Sequence, residues 1–415
     1  MEKNITVLGA GMVGVCCALA LQRLGARVTL IDRGELGNET SYGNAGVIAR
    51  SSLIPFNNPA LWKSLPRYSL NQSAQLRYNL GFMMRNWTWA VQYLSNTRKS
   101  RFKKTVVALN SLISLSSELH QAWVKEAGAE KHLHDQGWIH LYRTEAAFAG
   151  QAWARRIYEQ YDVAFEVLDS AGLYMLEPSI KSIFERAVWI KDTMSISNPR
   201  AVVKAYARLF TAQGGSIVRS DVRHVSKAGN GHWVLQEVTG LQREAPCLVV
   251  ALGPWSADML LPLGVRIPMV YERGYHMHYQ VADDVALNRP VYDTGGGYVL
   301  TPMEEGIRLS TGVELNDYNA PAMTEQLDMA QQFAQQAFPL GARKDQKPWL
   351  GSRPTLPDCR PMIGAVPDHA GLWLAVGHHH IGLNTGPATG QLLAALMSGE
   401  EPPIDPQPFA PERYL

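Results

Sequence analysis

The stretch GAGMVG at residues 9–14 follows the apolar run 5–8 and precedes a helix-like apolar run that begins at Val15. Glycine at the first position allows a tight turn from strand to helix. Glycine at the second lets backbone N–H groups approach a pyrophosphate, and glycine at the third lets helix and strand pack closely. The next apolar run ends at Asp32, a carboxylate suited to accept hydrogen bonds from ribose hydroxyls. The stretch therefore predicts a β-α-β unit that binds a dinucleotide at the helix N-terminus.

Composition narrows the class of protein. The chain has 415 residues, enough for two domains, and its 46% hydrophobic and 18% charged residues are typical of a globular protein. A formal net charge of +2 gives no reason to expect a nucleic-acid partner. The four cysteines have no zinc-type or CxxC spacing, which indicates a reducing compartment. The apolar run 5–21 lacks a basic leader and a small-residue cleavage site, so we expect a cytoplasmic protein without an export signal or a transmembrane helix.

Strand, glycine turn and helix recur in separated parts of the chain. A helix is predicted at 199–211 and a strand at 216–218, and buried strands ending in glycine turns are predicted at 247–253 and 371–377. The economical interpretation is an α/β nucleotide-binding domain assembled from three separated pieces, with a substrate domain inserted between them. The nucleotide-binding pieces are expected at 1–50, 196–262 and 346–415, and the substrate domain at 51–195 and 263–345.

Strand-like segments dominate the second part of the predicted substrate domain, at 271–280, 297–301 and 307–313. Near the C-terminus a helix is predicted from about Gly386 to Met397, and the Pro-rich tail after it is expected to wrap the surface.

Two further motifs are more specific than the glycine turn. They are ETSYGNAG at 39–46 and GSRPTLPDCRPMIG at 351–364, the latter followed by Gly377, His378 and Gly382. With the glycine turn, they resemble the FAD-dependent D-amino-acid oxidase superfamily of glutathione-reductase-type flavoproteins, and within it most of all the bacterial D-amino-acid dehydrogenases. The resemblance implies a split Rossmann-like FAD-binding domain and an inserted α+β substrate domain with a mixed or antiparallel sheet.

The resemblance also implies which residues bind FAD. These are Gly9, Gly11, Met12, Val13, Gly14, Asp32, Arg33, Ser41, Asn44, Ala45, Gly46, Val222, Gly253, Pro254, Gly377, His378, His379, His380, Ile381, Gly382 and Leu383. The loop 377–383 and the helix after it are expected to face the flavin pyrimidine, where negative charge develops on reduction. Anchoring cysteine or histidine residues of related enzymes are absent at the matching positions, so the FAD is expected to be noncovalent.

Three residues are implied at the catalytic site. Arg353 matches the family's carboxylate-binding arginine, Tyr298 matches a tyrosine that helps hold the same carboxylate in glycine oxidase, and His380 replaces a second arginine of that enzyme. The planar guanidinium fork suits a carboxylate, although an ion pair with Asp358 is the alternative for Arg353. Tyr298 also fits an ordinary strand aromatic, and His378 and His380 also fit hydrogen-bonded structural roles.

Two other groups of residues are candidates for a site. Three consecutive histidines cannot all point at one ion without a special backbone, so no metal is expected at 378–380. On the predicted strand 271–280, Tyr275 and His276 are further candidates to reach the pocket, with core or sheet-surface roles equally open.

The activity implied by the resemblance is FAD-dependent dehydrogenation of a D-amino acid, with D-proline and hydroxy-D-proline among the candidates. Hydride transfer from Cα to flavin N5 would give an imino acid and then a keto acid, and the electrons would pass to a quinone or another acceptor. The alternatives are an oxygen-using amine oxidase of the glycine or sarcosine oxidase type, an NAD-dependent dehydrogenase, and a noncatalytic flavoprotein subunit of a larger complex.

A further hypothesis is that the protein contacts the inner face of the cell membrane peripherally. The segment 82–104 is rich in aromatic and basic residues, although aromatic residues around most of a helix fit burial better than a clean apolar face.

Overall fold

The predicted β-α-β unit is present in the computed structural model, which describes residues 4–415. Strand β1 (Asn4–Leu8) pairs in parallel with β2 (Arg27–Asp32), and helix α1 (Met12–Arg23) connects them. The turn between β1 and α1 requires glycine at Gly9, where φ is +102° and a Cβ would overlap the backbone oxygen of Ala251.

The remaining elements follow in chain order. The helices are α2 (Leu61–Ser69), α3 (Leu80–Arg85), α4 (Trp87–Ser95), α5 (Lys99–Glu126), α6 (Glu145–Gly150), α7 (Ala152–Gln160), α8 (Ser170–Leu176), α9 (Pro199–Ala212), α10 (Ser256–Leu260), α11 (Glu325–Ala337) and α12 (Gly382–Ser398). The strands are β3 (Val47–Ile48), β4 (Leu76–Tyr78), β5 (Leu133–His134), β6 (Trp138–Tyr142), β7 (Phe165–Asp169), β8 (Arg186–Ile190), β9 (Met194–Ile196), β10 (Ser216–Arg219), β11 (Val222–Lys227), β12 (Trp233–Glu237), β13 (Gln242–Ala245), β14 (Cys247–Val250), β15 (Val270–Tyr279), β16 (Val291–Asp293), β17 (Tyr298–Met303), β18 (Gly306–Ser310), β19 (Val313–Leu315), β20 (Trp349–Thr355), β21 (Met362–Ala365) and β22 (Leu372–Val376).

The first sheet has six strands in the order β10-β2-β1-β14-β22-β21. Neighbouring strands are parallel except β21, which is antiparallel to β22. Helices α1, α9 and α12 cover one face, and the antiparallel sheet β11-β12-β13 covers the other. Because both faces of the sheet are covered, the central strands β14 and β22 are continuously apolar, and this is why the sequence predicts them as buried runs.

The second large sheet has ten strands. Nine follow the order β4-β19-β15-β18-β17-β16-β6-β8-β7, and β20 pairs with β15. Most of its pairs are antiparallel, while β16 with β6 and β19 with β4 are parallel. Helices α8 and α11 pack their apolar residues against this sheet. The predicted α/β fold class with a mixed second sheet is confirmed.

The proposed domain boundaries remain predictions, and β20 crosses one of them. This strand lies within the piece 346–415 assigned to nucleotide binding, yet it pairs with β15 of the ten-stranded sheet. Pairing between strands distant in sequence is what a linear division of the chain cannot anticipate.

Helix α12 begins four residues before its predicted start. The expectation placed Pro387 in the first turn, where its missing N–H costs nothing. In the structure Pro387 lies inside α12, and the carbonyl oxygen of Leu383 that its N–H would have bound accepts instead from His120 Nε2 at 2.8 Å. Burial lowers the pKa of His120 to about 4, so this ring is neutral.

The strand predicted at 307–313 is interrupted. Strand β18 ends at Ser310 and β19 starts at Val313. Between them, Gly312 lies so close to Gln75 that a Cβ there would overlap the backbone oxygen of Gln75. The tail is anchored rather than only laid over the surface, since the side chain of Phe409 is fully buried.

The aromatic segment at 82–104 forms two short helices and the start of α5. Phe82 and Trp89 are buried, whereas a second set of apolar side chains is 57% to 69% exposed. That exposed set is Leu80, Met84, Trp87 and Val91. Between residues 4 and 415, no helix combines the length and the apolar character needed to cross a membrane.

Candidate functional site

A cavity of about 1120 Å³ extends from the glycine turn after β1 to the face of the ten-stranded sheet. It brings together most residues that the sequence predicts for cofactor and substrate. Those that line it are Gly9, Gly11, Met12, Val13, Asp32, Arg33, Ser41, Asn44, Ala45, Val222, Gly253, Pro254, Tyr298, Arg353, His378, His379, His380, Gly382 and Leu383. The predicted cofactor and substrate residues thus share one connected space.

The glycine turn has the shape that a pyrophosphate requires. A Cβ at Gly14 would overlap the carbonyl oxygen of Gly9, so glycine is needed there for packing alone. A Cβ at Gly11 would meet only Ser41 Oγ, at 3.2 Å. Gly11 therefore leaves space on the cavity side, as expected where a ligand approaches the backbone. The hydroxyl of Ser41 accepts a hydrogen bond from the N–H of Met12 at 2.9 Å, which ties the loop 39–46 to the start of α1.

Asp32 is held by backbone donors at the end of β2. Its carboxylate accepts from the N–H of Ala10 at 2.6 Å and from the N–H of Gly34 at 2.8 Å. A carboxylate has about four lone-pair sites, so acceptor capacity remains for ribose hydroxyls. The guanidinium of Arg33 lies 4.3 Å from the ring of Trp255 and so joins β2 to the turn after β14.

The loop 39–46 is fixed from behind by a buried arginine that the sequence does not reveal. Arg308 Nη1 donates to the carbonyl oxygens of Tyr42 at 2.7 Å and Asn44 at 2.6 Å. Its Nε donates to His278 Nε2 at 3.1 Å. Burial lowers the pKa of Arg308 to about 10, and the arginine is still charged at neutral pH. Trp349 packs so closely on Gly43 that a Cβ at this glycine would overlap the indole.

The three consecutive histidines have different partners. His378 Nε2 lies 3.0 Å from the hydroxyl of Thr389, and burial lowers the pKa of this histidine to about 3. His379 Nε2 lies 2.7 Å from Glu272 Oε2, and His379 Nδ1 lies 2.6 Å from His380 Nδ1. Within residues 4–415, no group of three or more His, Cys, Asp or Glu side chains is arranged to hold a metal ion.

Four residues predicted to bind FAD do not line the cavity. Each of the four lies behind the cavity wall. Gly14 packs on Gly9, and Gly377 packs on Leu356. A Cβ at Gly46 would overlap the oxygen of Ile196, and Ile381 is buried in an apolar cluster. Their small size or burial, rather than a direct contact, connects them to the site.

Arg353 faces the cavity without a carboxylate partner. Its Nη1 donates to the oxygen of Gly312 at 3.1 Å, and its Nη2 lies 3.5 Å from the oxygen of Thr311. Asp358, the alternative partner, binds Arg360 and Arg413 instead. In the described part of the chain, Arg353 takes part in no ion pair. Burial lowers its pKa, and the charge of Glu272 opposes that effect.

Tyr298 lines the cavity with a buried ring. Its hydroxyl makes no hydrogen bond of standard geometry among residues 4–415, but it lies beside the ion pair of Asp293 and Arg143. Burial and the charge of Asp293 raise its pKa, and Asp293 itself is paired with Arg143 at 2.8 Å. No direct contact joins Tyr298 to Arg353 within the described residues, so a shared carboxylate remains a prediction for this pair.

Glu272 and Gly274 lie on β15 and line the cavity, and neither residue was predicted from the sequence. Glu272 is paired in register with Arg353 of β20, a long-range pairing that local sequence does not encode. A Cβ at Gly274 would overlap the guanidinium of Arg353, so this glycine leaves room for the arginine. Of the two other strand candidates, Tyr275 lines the cavity, whereas His276 stacks on Trp349 at 4.8 Å.

The chain is similar to known proteins in sequence and in fold. A model of the family described as DAO, FAD dependent oxidoreductase, matches residues 4–396. The chain is 30% identical to a D-amino-acid oxidase of Bradyrhizobium diazoefficiens, over 100% of this chain and 99% of that protein. It is 27% identical to D-amino acid dehydrogenase 1 of Mesorhizobium japonicum, over 99% of this chain and 100% of that protein. Glycine oxidase from Geobacillus kaustophilus has a similar fold, with a TM-score of 0.74, 19% identity and full coverage of both chains.

The space beside Gly11 leads to a prediction about cofactor retention. Gly11→Val places side-chain atoms where the pyrophosphate would lie, while the protein itself offers only the Ser41 hydroxyl as a neighbour. We expect a folded protein that purifies without flavin, measured as flavin absorbance per chain and as Tm compared with flavin-stripped wild type. Gly150→Ala is the control, because nothing lies within 4 Å of the added Cβ. Full flavin content in Gly11→Val would show that the pyrophosphate lies elsewhere.

Proposed function

Because the chain belongs to the DAO family of FAD-dependent oxidoreductases, we propose that it is an FAD-dependent dehydrogenase of a D-amino acid. D-proline and hydroxy-D-proline are among the candidate substrates. One observation carries the proposal: the guanidinium of Arg353 opens into the cavity of the glycine turn and has no carboxylate partner among residues 4–415. An anion from outside the protein completes such a site, and the guanidinium fork matches a carboxylate. The names of the two curated relatives support the choice of D-amino acids.

In the proposed reaction, the protein binds and orients the substrate. Arg353 binds the carboxylate, Tyr298 helps hold it, and His380 lies beside the reacting carbon and nitrogen. Bound FAD supplies the acceptor for the hydride that leaves Cα. Correct placement of Cα accounts for much of the rate, since positioning removes the entropy cost of bringing the reactants together. The product is an imino acid, which hydrolyses to a keto acid or, from a cyclic substrate, stays a cyclic imine.

Three alternative functions follow from the sequence: an NAD-dependent dehydrogenase, an oxygen-using amine oxidase and a noncatalytic flavoprotein subunit. Family membership identifies the cofactor as FAD, so the NAD-dependent alternative is wrong. An oxygen-using amine oxidase stays a candidate, because two relatives of the chain are named as oxidases, a D-amino-acid oxidase and a glycine oxidase. A noncatalytic flavoprotein subunit is distinguished by its failure to react with any amino acid.

An anaerobic screen tests the proposed function. Purified holoenzyme is mixed with individual D- and L-amino acids without oxygen, and flavin absorbance is followed. We expect bleaching by a D-amino acid and reoxidation by a quinone analogue faster than by oxygen. Rapid reoxidation by oxygen with stoichiometric hydrogen peroxide would identify the oxidase instead. Flavin that no amino acid bleaches would exclude amino-acid oxidation.

Variants of Arg353 test how the carboxylate is bound. A hydrogen bond to a charged group contributes about 1.5–3 kcal/mol, so Arg353→Ala is expected to lower kcat/KM by about ten- to 150-fold, mainly through KM. Arg353→Lys should recover only part of this loss, because an ammonium cannot reproduce the planar fork.

Two controls accompany that measurement. Arg208→Ala removes an exposed arginine of α9 and should leave the kinetics unchanged. A neutral amide of the substrate should be oxidised poorly by wild type and be nearly insensitive to Arg353→Ala. An unchanged KM for the acid, in a folded and yellow variant, would place the carboxylate elsewhere.

The electron acceptor in this proposal is a quinone, reached by contact with the membrane surface. Helices α3 and α4 expose Leu80, Met84, Trp87 and Val91, and each helix contributes a pair spaced by four residues, which places both members on one side. The exposed basic residues Arg98, Lys99, Arg101, Lys103 and Lys104 follow directly. Apolar side chains next to clustered basic residues suit an anionic lipid surface.

Sedimentation with vesicles tests this contact. Wild type is expected to sediment with phosphatidylglycerol-containing vesicles and less so in high salt, because the basic residues are screened. The double variant Met84→Ser, Trp87→Ser should lose most of this binding and keep its flavin reduction by substrate. Val238→Ser, which changes an equally exposed residue after β12, serves as the control. Binding that the double variant retains in full would exclude this surface.

A further inference from the structure

Three side chains form a continuous hydrogen-bonded chain that ends at the cavity. Glu272 Oε2 lies 2.7 Å from His379 Nε2, and His379 Nδ1 lies 2.6 Å from His380 Nδ1. Glu272 and His379 are buried, at 3% and 4% exposure, whereas His380 is partly accessible and lines the cavity. The innermost group is thus a carboxylate, and the outermost is an imidazole.

The order of donors along this chain follows from elementary chemistry. A carboxylate only accepts hydrogen bonds, so His379 Nε2 is the donor to Glu272. In the tautomer that leaves a lone pair on His379 Nδ1, His380 Nδ1 donates to it. The second nitrogen of His380, Nε2, then keeps its lone pair. It has no hydrogen-bond partner in the described part of the chain.

The backbone holds this arrangement in place. His379 has φ of +53°, an uncommon conformation for a residue other than glycine. Its N–H donates to the oxygen of Pro354 at 2.9 Å, next to Arg353 in the chain. The ring of Phe56 stacks on His380 at 4.6 Å and covers one face of the imidazole. His380, which carries the free Nε2, and Arg353 line the same cavity.

We propose that His380 accepts the proton of the substrate's ammonium group, and that His379 and Glu272 are positioning residues which hold it in the accepting tautomer. The proposal rests on the proposed function, because it needs an amino acid whose carboxylate is bound by Arg353. One N–H bond of the ammonium breaks, a bond from Nε2 to hydrogen forms, and the electron pair stays on the substrate nitrogen. The neutral amine that results is the form from which hydride can leave Cα.

The resting His380 is a neutral acceptor, and the carboxylates of Glu272 and of the bound substrate favour the positive charge that it gains on reaction. Burial, together with the charge of Arg353, holds the pKa of His380 well below its usual range, and its ring is neutral at physiological pH. After proton uptake, the Nδ1 proton can shift to His379, which places the positive charge next to the carboxylate of Glu272. Tyr93 and Cys359 also lie near Glu272, and burial raises the pKa of both, so they add no competing charge.

The pH dependence of flavin reduction tests the acceptor. A positioned general base contributes about 100- to 10000-fold, so His380→Asn is expected to slow anaerobic reduction by about 100-fold or more at neutral pH. Above the pKa of the substrate's amine, solvent has already removed the proton and the deficit should disappear. Loss of a merely structural contact would slow the reaction equally at every pH.

Two positioning variants sharpen the test. Glu272→Gln removes the charge that stabilises the protonated pair, so the acidic limb of kcat/KM should move to lower pH while its plateau falls. His379→Asn should have a deficit that high pH rescues, and asparagine tolerates the left-handed backbone better than most residues. His134→Asn, at an exposed position on β5, is the control and should follow the wild-type profile.

A tautomer measurement separates this proposal from the proposed function. In resting holoenzyme labelled with 15N-histidine, the signals absent from His380→Asn are expected to show hydrogen on Nδ1 and none on Nε2. Hydrogen on Nε2, or a pH-independent deficit in His380→Asn, overturns the relay while amino-acid oxidation still stands. Failure of every amino acid to reduce the flavin overturns the proposed function, and the substrate of the relay with it.

Discussion

The first and last long helices of the chain touch backbone to backbone, and the site depends on that contact. At Gly386 and Gly390 of α12, a Cβ would come too close to Met12 and to the backbone of Cys16 on α1. Side chains there would push the helices apart. Because α1 starts at the glycine turn and α12 starts at the histidine loop, their close packing brings both helix N-termini to one cavity. The partial positive charge of two helices is thereby directed at one cavity, an arrangement that favours an anionic ligand.

Local signals made much of this predictable. The glycines at 9, 11 and 14 predict the turn, and apolar runs predict the buried strands of the six-stranded sheet. Both features are encoded by residues that lie close together in the sequence. Arg308 and Glu272 were not predictable, since their roles depend on pairings between distant strands. The start of α12 was missed for a similar reason: His120, more than 260 residues away, satisfies the carbonyl that Pro387 leaves free.

The pocket floor combines one cation and one anion. Arg353 and Glu272 lie opposite each other on paired strands. The carboxylate of Glu272 is connected to the cavity by hydrogen bonds through His379 and His380. A zwitterion carries one negative and one positive charge. Its binding therefore leaves the net charge of the buried region unchanged. A simple carboxylic acid or a simple amine brings only one of them, and burying the unmatched charge is costly. Discrimination between amino acids and simpler metabolites can therefore come from electrostatics before side-chain shape contributes.

The order of strands in the six-stranded sheet has a consequence for biosynthesis. Strands β1 and β2 leave the ribosome first, but β14, the second neighbour of β1, is translated more than 200 residues later. Until then, β1 lacks its partner on one edge, and α1 lacks the glycine-lined surface of α12. The nascent chain thus carries an apolar edge that chaperones can recognise. Because His378, Gly382 and Leu383 line the cavity, its wall is complete only once the C-terminal helix has been made.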